Sequence, residues 1–139
     1  MKNRFLQTSD ARYIILIRLM TGLVFLSEGI QKFLFADTLG VGRFVKIGIP
    51  YPEFSASFVG IVEIVAGILL IAGLLTRIAA LFLLINISVA IVTTKIPMLQ
   101  NSFWSFAHEA RTDFCMFIGT LLLLITGGGK WSIDKRMLN

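Results

Sequence analysis

Residues 54–95 read FSASFVGIVEIVAGILLIAGLLTRIAALFLLINISVAIVTTK, and the architecture turns on this run. Only Glu63, Arg77 and Lys95 are charged within it. A helix rises about 1.5 Å per residue and the hydrocarbon core of a bilayer is about 30 Å thick, so about 20 apolar residues make one crossing. The run is long enough for two. Gly73-Leu74-Leu75-Thr76-Arg77 leaves almost no room for a loop between them, which predicts an antiparallel helical hairpin. Strands are excluded on two grounds: polar and apolar residues do not alternate, and lipid requires each backbone amide to be paired inside its own segment or a closed barrel.

Two further apolar runs flank this pair. The expected helices cover 12–35, 54–75, 77–95 and 109–127, giving one all-α integral membrane domain, a four-transmembrane-helix antiparallel bundle. The apolar core of the last run is short, so its helix is expected to begin near His108 or Glu109. The first run follows Lys2, Arg4 and Arg12 but is too long for a signal-peptide core and lacks an Ala-x-Ala-like site, so it reads as a retained span. Between the first two helices, Val41, Phe44, Val45 and Ile47 alternate with Arg43 and Lys46 at helical spacing, which predicts a short amphipathic interfacial helix. Pro50 and Pro52 end it and start the next helix.

Composition agrees with this reading. The 139 residues are 56% hydrophobic and 15% charged with mean hydropathy +0.84, too apolar for a water-soluble domain. A net charge of +5 would suit nucleic acid only if the basic residues formed one patch. They flank apolar runs instead, so the lipid bilayer is the expected partner and nucleic acid is not. One cysteine, Cys115, and one histidine, His108, exclude an intrachain disulfide and give no ligand set for a metal.

Basic residues also set the orientation. Lys2, Arg4, Arg12, Arg77, Lys130, Lys135 and Arg136 lie on one side; Arg43, Lys46, Lys95 and Arg111 lie on the other. Seven against four predicts a multi-pass protein of the bacterial inner membrane with both termini in the cytoplasm. Glu28 then sits about 24 Å along the first helix from Arg12 and Lys32 about 30 Å, both in the outer half. Glu63 falls near mid-membrane, and His108, Glu109, Arg111 and Asp113 near the outer boundary.

An ionisable group inside the hydrocarbon costs a few kcal/mol even on lenient scales, so each is expected to face a partner or a wet cavity. Arg18, Gly22, Phe25, Gly29 and Lys32 share one stripe of the first helix, with Glu28 at its edge. Gly60, Glu63 and Gly67 align on the second, Asn86, Ala90 and Thr93 on the third, and Glu109, Asp113 and Thr120 on the fourth. Each residue also has a plainer role. Glu28 and Lys32 are spaced to neutralise one another, and Arg18 is placed to snorkel toward cytoplasmic headgroups. Asn86 suits interhelical bonding, His108 an interfacial position, and Trp104, Trp131 and Tyr51 interfacial anchoring. Glu63, which lacks a basic partner in its own helix, is the leading candidate for chemistry. The glycines at 127–129 before Lys130 lack phosphate-loop order and suggest a flexible exit, with Ser132 and Asp134 tying down the cytoplasmic end.

At these positions the chain resembles the DoxX/DoxD-like family of small bacterial inner-membrane proteins. The resemblance rests on Arg18, Gly22, Phe25-Leu26, Gly29 and Lys32-Phe33, then Gly48-Ile49-Pro50, then Glu63, Gly67 and Gly73-Leu74-Leu75-Thr76-Arg77. The ending Gly127-Gly128-Gly129-Lys130-Trp131-Ser132-Ile133-Asp134 completes it. It implies a four-helix membrane bundle and, for some members, a place in quinone-linked sulfur oxidation or in a redox complex with partners. No flavin, haem or iron-sulfur motif is recognisable, so a quinone is the cofactor this resemblance points to, with a soluble or membrane redox partner as the other carrier of electrons.

Three functions therefore stay open: an oxidoreductase component, a non-catalytic adaptor, and a small-solute or proton-coupled transporter. The last needs a homo-oligomer to make room for alternating access. In the first, Glu63 and Glu28 transfer protons. Lys32, Arg111, Asp113, Arg18, Phe25, Asn86 and His108 line the substrate pocket, with Lys32 and Arg111 holding an anionic group.

Overall fold

The computed structural model describes residues 5–138, and all regular structure among them is helical. In chain order the elements are α1 (Ile14–Leu34), α2 (Ala36–Leu39), α3 (Val41–Lys46), α4 (Pro52–Ala72), α5 (Thr76–Ala90), α6 (Phe103–Glu109), α7 (Arg111–Thr126) and α8 (Ile133–Leu138). Three helices are long and apolar enough to cross a membrane: α1, α4, and α5 with its continuation to Gln100. Their outward faces carry Leu16, Leu23, Phe58, Ile61, Phe82 and Ile85, all exposed, as lipid contact requires.

Two boundaries depart from the sequence expectation. The helix expected over 109–127 is broken at Ala110 (φ −88°, ψ 0°), so Glu109 closes α6 and only 16 residues form α7. The third helix, expected to stop at Lys95, instead runs on as a π-helical turn (Ile91–Lys95) and a 3-10 turn (Ile96–Gln100). Pro97 explains the change of pitch. Its ring would strike the carbonyl of Thr93 in a regular helix and it has no N–H to offer that carbonyl, so the coil widens before it and tightens after it. The amphipathic segment between the first two long helices is present as two short pieces, α2 and α3, with Phe44 turned inward. Pro52 opens α4 as its first residue.

Glycine sets how closely the helices meet. α1 packs chiefly on α4, and α5 chiefly on α7. A Cβ on Gly67 would stand 2.9 Å from both the Gly22 carbonyl oxygen and the Leu26 nitrogen, and one on Gly29 would stand 2.8 Å from the Gly60 carbonyl oxygen. Backbone thus touches backbone, the arrangement that small residues permit in apolar surroundings where burial supplies no driving force between helices. Gly67→Val is expected to force α1 and α4 apart and cost at least about 1–3 kcal/mol. Unfolding by SDS in mixed micelles measures this, with Ile68→Val on the exposed face of the same helix changing the midpoint little.

The α4–α5 reversal is held from outside. Gly73 (φ 72°) and Leu75 (φ 49°) both take left-handed backbone conformations. Arg18 of α1 donates from Nε to the Leu70 carbonyl (2.9 Å) and from Nη2 to the Ile71 carbonyl (2.8 Å), in the last turn of α4. Its Nη1 donates to the carbonyls of Gly128 (3.0 Å) and Trp131 (2.7 Å) in the tail. On the other side of the turn, Asp134 accepts from the backbone N–H groups of Leu75 (2.7 Å) and Thr76 (2.9 Å), which begin α5. A cation caps the negative end of one helix and an anion the positive end of the next.

This corrects two expectations. Arg18 does not snorkel: it is 2% exposed, because four carbonyls within reach satisfy the guanidinium better than a distant headgroup could. Nor is the 127–129 stretch a loose exit, since Gly127 and Gly129 have positive φ and a Cβ on any of the three glycines would meet neighbouring atoms within 2.8 Å. Asp134 does tie this end to the bundle, whereas the Ser132 hydroxyl bonds within the tail, to the Gly129 carbonyl. Nearby, a hydrogen bond from Lys135 (2.6 Å), and then its charge, holds the Asp10 carboxyl below the usual carboxylate range.

Candidate functional site

α1, α4 and α5, together with α3 and α7, line a half-open cavity of about 530 Å³. Of the residues singled out in the sequence, Glu28, Lys32, Phe25, Glu63, Asn86, Arg111 and Asp113 line it, and Arg18 and His108 do not. Arg18 lies at the α4–α5 turn with its donors engaged there, so it is unavailable to a substrate in this cavity. His108 is exposed in the last turn of α6, and its carbonyl accepts a hydrogen bond from Arg111.

Glu63 is the centre of the polar part. It is 5% exposed, on the face of α4 between Gly60 and Gly67 that packs against α1. Its Oε2 accepts from Lys32 Nζ at 2.8 Å and its Oε1 from Asn86 Nδ2 at 2.7 Å. Three helices, α1, α4 and α5, therefore meet at one carboxylate. Phe25 is buried one turn from Lys32's neighbour Glu28, and with Val24, Val59, Ile87 and Met116 it supplies an apolar wall.

The expected Glu28–Lys32 pair is not formed: Lys32 turns to Glu63, and Glu28, exposed toward the cavity, makes no ion pair among the described residues. Magnitudes explain the choice. A pair four apart on one helix contributes about 0.2–0.5 kcal/mol. A carboxylate buried without a partner costs several kcal/mol, so the ammonium goes where its absence would be worst.

Sequence reasoning overlooked Lys95. Counted in the sequence only toward orientation, it is carried inward by the π-helical turn to lie 3.7 Å from Asp113, at the cavity wall formed by Thr93, Thr94 and Glu109. The signal available was Pro97, which reshapes the turn before it. Arg43 also lines the cavity, from α3. Groups of His, Cys, Asp or Glu able to hold a metal ion are absent among the described residues.

Apolar helices, close glycine contacts and charged groups paired between helices define a helical membrane protein with a polar centre enclosed by its long helices. Its residues 13–96 match the DoxX family model, and the chain belongs to the DoxX family. It is 51% identical over 96% of its length, and 86% of the relative's, to the uncharacterized membrane protein Rv3486 of Mycobacterium tuberculosis. Similarity also extends to a Bacillus subtilis protein named "Putative oxidoreductase CatD", 28% identical over 86% of this chain and 83% of that one. The inner membrane protein YphA of Escherichia coli is 27% identical over 96% of this chain and 97% of its own length. No solved structure matches the chain.

Proposed function

We propose that this DoxX protein is the membrane subunit of a redox system and that its cavity receives a quinone. In this reading α7 crosses the bilayer with the three longer helices in an antiparallel four-helix domain. Both termini face the cytoplasm and the cavity opens in the outer half. At about 1.5 Å per residue α7 covers about 24 Å, which a modest local thinning of the bilayer accommodates.

One observation carries the reading: a cavity of drug-sized volume, apolar over most of its wall, with a buried Glu63 held between Lys32 and Asn86. A ring would lie against Phe25. Lys32, with ammonium hydrogens beyond the one given to Glu63, would donate to a ring oxygen, and Glu63 and Glu28 would take and release the protons that accompany reduction. The name of the Bacillus subtilis relative supports the redox class.

Titration of the purified protein with a short-chain quinone, read by intrinsic tryptophan fluorescence, is expected to give saturable quenching that weakens at least tenfold in Glu63→Gln. Absence of a saturable phase, or quenching indifferent to Glu63→Gln, would leave an adaptor role in place of this one.

A further inference from the structure

The charges lining the cavity cancel. Lys32 is matched by Glu63 at 2.8 Å and Lys95 by Asp113 at 3.7 Å. The remaining lining charges are Arg43 and Arg111 against Glu28 and Glu109, so four cations stand against four anions. At the two lysines the balance is also local, whereas Arg43, Arg111, Glu28 and Glu109 make no ion pair among the described residues. Lys32, with its side chain 13% exposed, has a carboxylate in direct contact, and a second carboxylate, Glu28, stands one turn away on the same helix.

We infer that the cavity selects an electrically neutral occupant, a ring compound with carbonyl or hydroxyl oxygens, and discriminates against anions of the same shape. This rests on the quinone reading and narrows its substrate class, replacing the expectation from sequence that Lys32 and Arg111 hold an anionic group. The physical reason is a comparison of costs. An anion leaving water for an apolar cavity loses several kcal/mol of solvation, which only an uncompensated cation restores. An ammonium already bound to a carboxylate presents a dipole rather than a charge, and its attraction falls off with distance correspondingly faster. A neutral carbonyl loses far less solvation and needs only the spare ammonium hydrogen it finds on Lys32. Glu28, one turn from Lys32 and without an ion-pair partner among the described residues, adds repulsion toward an anion that approaches Lys32. It also offers an acceptor to a hydroxyl. A sulfur oxyanion in the same redox system would therefore react on a partner and not in this cavity.

The test uses two probes with one ring system, menadione and 1,4-naphthoquinone-2-sulfonate, titrated into the full chain in a non-ionic detergent at low ionic strength. Tryptophan octyl ester in the same micelles gives the background quenching to subtract. Menadione is expected to bind saturably, with the sulfonate at least tenfold weaker. Glu28→Gln, an isosteric change at an exposed side chain that leaves one net positive charge, is expected to narrow the ratio of the two dissociation constants about threefold or more. Sulfonate binding as tight as menadione, or a ratio unmoved by Glu28→Gln, would overturn the charge inference while leaving the quinone reading standing. Saturable binding of neither probe would overturn both.

Discussion

Arg18→Leu is expected to prevent recovery of folded, monodisperse protein in mild detergent, or to lower its stability by about 4 kcal/mol or more where it is recovered. Leucine fits the volume and suits the membrane, so the loss isolates the guanidinium. Removing it strips donors from the carbonyls of Leu70, Ile71, Gly128 and Trp131 at once. Each buried carbonyl left unpaired costs about 1–3 kcal/mol, and although these do not simply add, two or three of them rival the whole stability of a small domain. The Ile71 carbonyl lies in the last turn of α4, where helix geometry provides no internal donor, while the Leu70 carbonyl keeps the Gly73 N–H at 3.2 Å. Arg18→Lys is expected to recover less than half of the loss, because an ammonium is a point donor and cannot span a fan of carbonyls on two segments. SDS unfolding monitored by circular dichroism measures all three proteins. An Arg18→Leu midpoint within about 1 kcal/mol of the parent would mean that water, not arginine, satisfies those groups.

The same side chain shows what the sequence could and could not disclose. Long apolar runs announce helices because hydropathy is a property of each segment alone, and so α1 and α4 begin and end within a few residues of expectation. Glycines at 22, 29, 60 and 67 were legible as packing surfaces for the same reason: their spacing puts them on one face. What Arg18 touches was not legible. Its partners are separated from it by 52 to 113 positions, and they are backbone carbonyls, which carry no sequence signature. The candidate site divides the same way. That Glu63, Lys32 and Asn86 needed partners followed from their cost in lipid, but the local rule favoured Glu28 for Lys32. Only the packing of α1 on α4 shows that Glu63 competes for the same ammonium and wins. Lys95 escaped notice because the helix was expected to stop where Pro97 in fact changes its pitch.

The second large effect is expected at that pair, and it is one of coupling. Glu63→Leu leaves Lys32, with its side chain 13% exposed, carrying a charge between helices with no carboxylate to meet it, and Asn86 without the acceptor for its amide. Lys32→Met does the reverse, leaving the carboxylate with Asn86 alone. Each single change is expected to cost about 3–5 kcal/mol, since breaking a buried pair strands a charge. The double change Lys32→Met with Glu63→Leu strands none, and it is expected to be more stable than either single variant, because replacing a buried ion pair by apolar groups is often near neutral. The coupling energy from this double-mutant cycle, measured by SDS unfolding, should reach about 2 kcal/mol or more. All three variants should bind a neutral quinone poorly, the double variant included, since it keeps the fold and loses the donors. That combination separates the two roles of the pair. Additive losses in the cycle would mean that Lys32 and Glu63 do not meet in the membrane, whereas a stable double variant that still bound quinone as the parent does would remove the pair from the binding chemistry.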